Sequence, residues 1–340
     1  MTAPSDAIDI VYLWVDGNDG AWRDKRRSAA GQLSASHRGA MAQYGNVEGR
    51  YRDNEELRYN LRALERFFPA HGHVYVVTDA QTPAWLQSSE RLTVVDHQDL
   101  IPAKQLPTFD SCHIESYIHR IPQLSERYFY LNDDVMFGAP VALEDWFFDG
   151  GFYVAWSDEP HVGDTPLLQH ANVLENASKM SRAWFSGKAQ ETSSSNAQVR
   201  TIAQAYQHTF RTFAHSPRPM RKSLLWELES LAPDLFSMVR STVFRTWDKP
   251  TIVSDFVLRW ALTTGQARVK DYAHLYVATG DTQQSKVLEQ LVDAAGRLAF
   301  FCVNDTTDDA YPHDPRLVEV RDALQRMFPQ PSSFERVVAG

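Results

Sequence analysis

Asn132, Asp133 and Asp134 stand where an aromatic, apolar run, Tyr128-Phe129-Tyr130-Leu131, stops abruptly; a second apolar run resumes at Val135. Two adjacent carboxylates repel each other unless a cation, a lysine or a proton intervenes. Hard oxygen ligands of this kind suit Mg²⁺ or Mn²⁺, which bind one or two carboxylates together with substrate phosphates. The same triplet also suits a polar turn closing a hairpin, since Asn and Asp favour turns. Phe300-Phe301-Cys302-Val303 likewise ends in Asn304-Asp305, and two strands ending in Asn-Asp can bring oxygen ligands to one cation. Cationic groups lie elsewhere. Arg52 stands just ahead of a helix, where the positive end of the dipole favours a phosphate. His215 joins Arg218, Arg221 and Lys222 ahead of an amphipathic stretch containing Leu224, Leu225, Leu228 and Leu231. Glu115 and His119 are i,i+4 neighbours that can meet a substrate, each other, or solvent.

These residues need strands and helices to position them. Residues 8–15 are rich in β-branched and aromatic side chains and end in Asp16-Gly17-Asn18-Asp19-Gly20, a turn composition. This reads as a first central strand with a polar loop at its carboxyl end, the place where Rossmann-like folds hold nucleotides. No G-x-G-x-x-G fingerprint accompanies it, so dinucleotide binding is not supported. Residues 21–49 are polar, with Arg23, Lys25, Arg26 and Arg27 clustered; they read as a solvated helix, a mobile loop or a closing lid. Asp53 reads as an N-cap with Glu56 three residues on, opening a helix with Leu57, Leu61, Leu64 and Phe68 on its core face. Strands follow at 74–78 and 92–95, with a short helix between them at 83–86. A helix capped near Pro107–Ser111 carries Ile114, Ile118 and Ile121 inward, and a strand at 127–131 leads into the acidic triplet. Beyond it we expect a strand at 151–156, helices at 175–187 and 196–213 with a loop at Ser193-Ser194-Ser195, a break at 215–220, and a helix at 254–262. A strand at 269–277, a helix at 285–295, a strand at 300–303 and a last helix at 315–327 complete the chain. Strands alternating with helices argue for an α/β fold with a parallel sheet. Three stretches are expected: an α/β core at 1–150, a largely helical insertion at 151–265 on the acceptor side, and residues 266–340 completing the core.

The 340 residues are 43% apolar and carry a formal charge of −9, with a pI near 5.7. That balance argues against nucleic acid as a partner, whose footprint is basic. Two distant cysteines, Cys112 and Cys302, suggest a reducing compartment rather than a disulfide framework. Residues 1–9 show no charged n-region and apolar run of a signal peptide, and no run approaches the ~20 apolar residues that span a bilayer. A cytoplasmic location is expected, and peripheral attachment at the inner membrane face is compatible with it.

The chain resembles the Stealth family of hexose-1-phosphoryltransferases, which includes bacterial capsule polymerases and the animal enzyme that starts the mannose-6-phosphate tag. Asp9-Ile10-Val11-Tyr12-Leu13-Trp14-Val15-Asp16-Gly17 is similar to its first conserved region. The second runs from Arg50-Tyr51-Arg52-Asp53-Asn54-Glu55-Glu56-Leu57-Arg58 through Pro107-Thr108-Phe109, Ile114-Glu115-Ser116 and His119-Arg120-Ile121 to Asn132-Asp133-Asp134-Val135. The third is the loosest, around His215–Leu225 and Phe244-Arg245; the fourth is Cys302-Val303-Asn304-Asp305, with the tail at 328–335.

The resemblance implies a fold like that of GT-A glycosyltransferases and a metal-dependent reaction. A UDP-sugar gives sugar 1-phosphate to a hydroxyl of an oligo- or polysaccharide acceptor in capsule synthesis, and UMP leaves. It implies that Asp134 and Asn304, with Asp133 or Asp305, hold Mg²⁺ or Mn²⁺, and that Asp16 and Gly17 hold the nucleotide. Arg52, Arg245 and Arg218 would neutralise the transferring phosphate. His215 is expected as general base on the acceptor hydroxyl or as a phosphate contact, its ordinary pKa near 6.5 suiting proton transfer, with Asp53 as the other candidate base. Glu115 and His119 would line the sugar or acceptor site. Peripheral association with inner-membrane capsule machinery is compatible with this reading. The competing readings are a glycosyltransferase that releases UDP and a non-catalytic polysaccharide-binding protein.

Overall fold

Asp9–Leu13 and Val74–Thr78 are buried at every position, as strands covered on both faces must be. They form the heart of a computed structural model that describes residues 7–191, 197–207 and 211–336. The strands are β1 (Asp9–Leu13), β2 (Val74–Thr78), β3 (Leu92–Asp96), β4 (Arg127–Asn132), β5 (Val135–Phe137) and β6 (Phe147–Phe148), followed by β7 (Gly151–Val154), β8 (Arg218–Arg221), β9 (Ala267–Val269), β10 (His274–Thr279) and β11 (Phe300–Asp305). The main sheet has the order β3-β2-β1-β4-β8. Its first four strands run parallel and β8 runs antiparallel to β4. The chain steps outward from β1 through β2 to β3, then returns to the far side of β1 as β4. That reversal is a topological switch point, and ligands of open α/β sheets bind beyond the strand ends there. The expected α/β class with a mostly parallel, Rossmann-like sheet is therefore what the chain forms. Two three-stranded sheets, β10-β11-β5 and β6-β7-β9, extend it.

Several expected elements take another form. Residues 215–220, expected as a break, contain β8. Pro219 sits opposite Phe129 on the outermost strand of the sheet, where a missing N–H costs no ladder bond. The expected helix at 111–121 is a short α-helical turn, Ser111–Glu115, followed by a 3-10 turn, Ile118–Arg120. Residues 269–277 divide between β9 and β10, which lie in different sheets. Pro83 opens a turn, not a helix. Residues 20–32 are helical, but the helix is not simply solvated, because Trp22 and Arg26 are buried. The expected Ser193-Ser194-Ser195 loop, and parts of the 196–213 helix and of the first nine residues, lie outside the described residues.

The main apolar core draws side chains from all three expected stretches, from Ile8 through Phe185 and Trp260 to Phe334. In the helical part, Arg259 is fully buried and donates to Asp255, Ser178 Oγ and the Arg211 carbonyl. Among the described residues no helix is long and apolar enough to cross a membrane.

One side chain ties the helix Glu56–Phe67 to the acidic turn. Asn60 is fully buried. Its amide donates to the carbonyls of Asp133 (2.8 Å) and Val135 (2.7 Å), and its Oδ1 accepts from Tyr12 Oη at 2.9 Å. Asn60→Ala strands these groups in the interior and is expected to cost about 2–4 kcal/mol. Urea unfolding of the variant against wild type checks it; an unchanged midpoint would remove Asn60 as the anchor of the turn.

Candidate active site

A cavity of about 550 Å³ opens at the switch point between the ends of β1 and β4. Part of its lining is aromatic, with Trp14, Trp22, Tyr51 and Phe109. Trp22 packs on Tyr51 and Phe109, with ring centroids 5.2 and 5.3 Å apart, and Phe109 stacks on Phe244.

Acidic residues form one wall. Asp133, Asp134 and Glu56 all line the cavity, as do Asn304 and Asp305. The two Asn-Asp segments meet because the Val303 N–H donates to the Asp134 carbonyl at 3.0 Å. Burial, then the charges of Asp134 and Asp53, hold Asp133 well above the usual carboxylate range. Burial, then Asp133 and Asp53, do the same to Glu56. Burial pushes Asp134 up to about 6, against the pull of the Cys302 thiol and of Arg245. The thiol donates to Asp134 Oδ2 at 3.6 Å, while Oδ1 is buried with no hydrogen-bond partner among the described residues.

These groups bear on the expected cation. Among the described residues, no three His, Cys, Asp or Glu side chains converge as a ready-made metal cage. Mg²⁺ does not need one, since it binds through one or two carboxylates and keeps water or substrate phosphate for the rest. An orphaned carboxylate oxygen beside a second, mutually repelling carboxylate fits that mode. Asn304 adds an amide to the same wall, its Nδ2 donating to Tyr276 Oη at 2.7 Å. Asp305 does not fit as a ligand. Its Oδ2 takes Arg52 at 2.5 Å and Asn54 at 3.2 Å, and its Oδ1 takes the Thr307 N–H and hydroxyl. Arg52 is correspondingly occupied by Asp305, Thr307 and the Ala310 carbonyl, so its expected role at the transferring phosphate gives way to bracing the wall.

Basic residues form another part of the lining, delivered by the edge strand β8 with the residues just before it and by the segment that follows Phe244. His215, Arg218 and Arg245 all line the cavity. Arg245 is held by Ser111 Oγ at 2.5 Å and faces Asp110 at 3.6 Å. Arg218 is buried and donates to the Ala214 carbonyl at 3.3 Å. His215 departs from its expected ordinary pKa. Burial, then the charges of Arg218 and Arg245, pushes it down to about 4, so the imidazole is neutral at pH 7. Glu115 lies deep in the same cavity, accepting from Tyr130 Oη at 3.0 Å and from Ser254 Oγ at 3.3 Å. Ser254 reaches it from a π-helical turn, Ile252–Phe256, a form frequent at functional sites.

Four expected residues lie elsewhere. His119 is fully buried outside the cavity; it bonds Glu229 at 2.7 Å and meets Trp226 edge-on. The helix stops at Glu115, so the i,i+4 pairing never forms. Asp16 spends its carboxylate on the Asn18 N–H (2.8 Å), and Leu13, Trp14 and Val15 line the cavity in its place. Gly17 is pressed against Tyr51, where a Cβ would lie 2.2 Å from the carbonyl oxygen. Gly17 and Asp53 instead line a second cavity of about 430 Å³, which shares Arg52 with the first. Asp53 is not the helix cap: it accepts the Glu55 N–H at 2.9 Å, and Glu55, with φ 66°, precedes the helix. Burial pushes Asp53 up to about 6, the Glu55 N–H holding it back and Asp16 adding to the rise.

Sequence reading missed Glu56 as part of the acidic wall, Cys302 as the donor to Asp134, Tyr130, Ser254 and the aromatic part of the lining. Glu56 had a visible signal, three carboxylates (Asp53, Glu55 and Glu56) within four residues of Arg52. Cys302 and Ser254 had none, because their neighbours come from distant segments.

Burial pushes Glu115 up to about 7, with Arg218 and the Tyr130 hydroxyl pulling the other way. A carboxyl with a raised folded pKa stabilises the fold below its ordinary value of 4.5, and that contribution is lost as pH rises through about 7. Glu115→Gln keeps an acceptor for Tyr130 and removes the buried charge. The variant's melting temperature relative to wild type should therefore rise between pH 5 and pH 8. A difference that is flat with pH would show that Glu115 does not titrate in this window.

Comparison with known proteins gives the chain's relationships. Residues 6–34, 50–154 and 294–339 match Stealth protein conserved regions 1, 2 and 4. His215, Arg218 and Arg245 lie outside these matched residues. An exopolysaccharide phosphotransferase of Streptomyces coelicolor, SCO6023, is 35% identical over 336 residues, covering 97% of this chain and 52% of that protein. Exopolysaccharide phosphotransferase CpsY of Mycobacterium tuberculosis is 30% identical over 334 residues, covering 98% of this chain and 58% of CpsY. The chain thus spans a little over half the length of these two relatives. Among solved structures, the galactosyltransferase LgtC with donor and acceptor sugar analogs has 10% identity and a TM-score of 0.42, over 93% of this chain and 96% of that one. The inositol-1-phosphate CTP transferase of T. maritima has 12% identity and a TM-score of 0.38, over 94% and 96%. With three conserved regions matched and relatives aligned over nearly all of its length, this chain belongs to the Stealth family.

Proposed function

We propose that this chain transfers hexose 1-phosphate, with an N-acetylhexosamine as the favoured sugar, from a UDP-sugar to a hydroxyl of an oligo- or polysaccharide. The product is a phosphodiester and UMP leaves. One observation carries the reading: the cavity at the switch point joins a buried acidic wall, with an unpartnered Asp134 oxygen, to a basic wall of Arg218 and Arg245. Phosphoryl transfer is mostly positioning and charge neutralisation, and these two walls are the means for both. The printed names of the relatives, exopolysaccharide phosphotransferases, support the same class.

Asp133, Asp134 and Asn304 would hold Mg²⁺ or Mn²⁺. When bound, the cation supplies charge neutralisation at the diphosphate and at the departing UMP. Arg218 and Arg245 bind the transferring phosphate, since guanidinium suits its oxygens. Their charges keep His215 neutral in the free protein. A diphosphate beside them offsets that field and raises the histidine's pKa, which lets it take a proton from the acceptor hydroxyl. Glu115 holds Tyr130 and Ser254 and lines the cavity beside the sugar. Arg52 and Asp305 brace the acidic wall.

The decisive measurement is which nucleotide appears when the protein meets a panel of UDP-sugars, Mg²⁺ or Mn²⁺ and a short saccharide acceptor. UMP that depends on acceptor is expected, lost with EDTA and restored by added cation. UDP would mean glycosyl transfer and would overturn the proposal. Ligand binding without either product would favour a binding protein. Within the active protein, His215→Ala is expected to lower turnover about a hundredfold or more, and Asp134→Asn to abolish the response to cation. Near wild-type turnover in either variant removes that residue from its role.

A further inference from the structure

Arg52, Asp53 and Asn54 line the second cavity, and Arg52 lines the first as well. Its walls come from the ends of three separate segments: Gly17 and Asn18 after β1, Arg23 and Glu48 beside them, and Ala310–His313 with Arg321 from the last helix, Pro315–Met327. The site described above uses none of Arg23, Tyr311 or Arg321.

Charge is the first observation. Arg52 is neutralised by Asp305, and Arg23 is half-exposed with Glu48 at 3.9 Å. Arg321 has neither an ion pair nor a hydrogen bond among the described residues and lines the cavity half-buried. Asp53 lines the same cavity but makes no ion pair with Arg321 among the described residues, so in a chain with a formal charge of −9 the guanidinium keeps its charge for an anion. Shape is the second. Tyr311 is 58% exposed, more than any other large hydrophobic side chain among the described residues. It follows directly on Ala310, whose carbonyl takes Arg52. His313 holds φ 64°, a costly conformation for a residue with a side chain. The Asp314 N–H closes the turn on the Tyr311 carbonyl at 3.0 Å. The turn thus presents an aromatic face, with Asn18 and Asn54 adding polar groups at the same cavity. An aromatic face, amides and an unpaired guanidinium together suit a sugar ring bearing a negative group.

We propose that this second cavity is the acceptor subsite and takes an anionic saccharide, its charged group on Arg321 and Arg23 and its ring against Tyr311. The inference rests on the donor reading of the first cavity, and it has the acceptor's reacting hydroxyl reach past Arg52, which lines both cavities, to His215 in the first.

The probe is N-acetylglucosamine 6-phosphate, titrated calorimetrically into the whole chain with Mg²⁺ and saturating UDP present, with N-acetylglucosamine as the uncharged control. Binding that persists beside UDP and exceeds that of the control is expected. Arg321→Ala should weaken it about tenfold or more, as loss of a charged hydrogen bond does. Arg321→Lys should recover part of the loss, and Tyr311→Ala should weaken both sugars. UDP affinity and melting temperature should be unchanged in all three variants. Competition between the phosphosugar and UDP, equal affinity in Arg321→Ala, or no phosphosugar binding at millimolar concentration would each overturn the assignment. Failure of the wild type to bind UDP would sink the donor reading separately, because the phosphosugar titration without UDP still reads the second cavity.

Discussion

Four carboxyl groups, those of Asp53, Glu56, Asp133 and Asp134, are gathered beside one strand end with too little positive charge in direct contact. Burial raises all four, and the charges of neighbouring carboxylates add to the rise at Asp53, Glu56 and Asp133. An arrangement of this kind opposes folding unless protons or cations occupy it. It therefore needs a strong scaffold, and the scaffold is visible. Asn60 holds the carbonyls of the turn from the helix side, and β11 holds the Asp134 carbonyl through Val303. The acidic turn is thereby clamped between a helix and a strand from the far end of the chain.

The basic part of the lining follows the same logic with the sign reversed. Arg218 and Arg245 face the cavity together with His215, and their charges suppress its protonation. No ion pair joins these arginines to Asp133 or Asp134 among the described residues. Arg245 is instead steadied by Ser111 and Asp110. Groups of opposite sign that line one cavity without pairing leave their charges for a ligand that carries both, such as a phosphate with its cation. Within the acidic wall, Arg52 and Asp305 are consumed by each other in holding its shape. That contact separates the residues suited to chemistry from those that support them.

The fold's outline was legible because its signals are local. β-branched and aromatic runs ending in turn residues mark β1, β2 and β4, and their alternation with helices implies a parallel sheet. The acidic triplet at the end of β4 was legible for the same reason, as an apolar strand that stops at charged residues. β8 was not, since Pro219 reads as a breaker unless the strand is known to lie at an edge. His119 was misread because helical spacing assumes that the helix continues, and this one ends at Glu115.

The sequence by itself determined the α/β class, the strand ends that carry Asn-Asp, the lack of a dinucleotide fingerprint, and a family resemblance that the conserved regions bear out. Only the tertiary structure decided which charges remain free. Asp305 and Arg52 lie 253 residues apart and quench each other, Asp16 turns back on its own loop, and Glu56 joins the acidic wall across the sheet. Residue type says which groups can ionise or coordinate. Pairing distance and burial, which depend on how remote segments pack, say which of them still can.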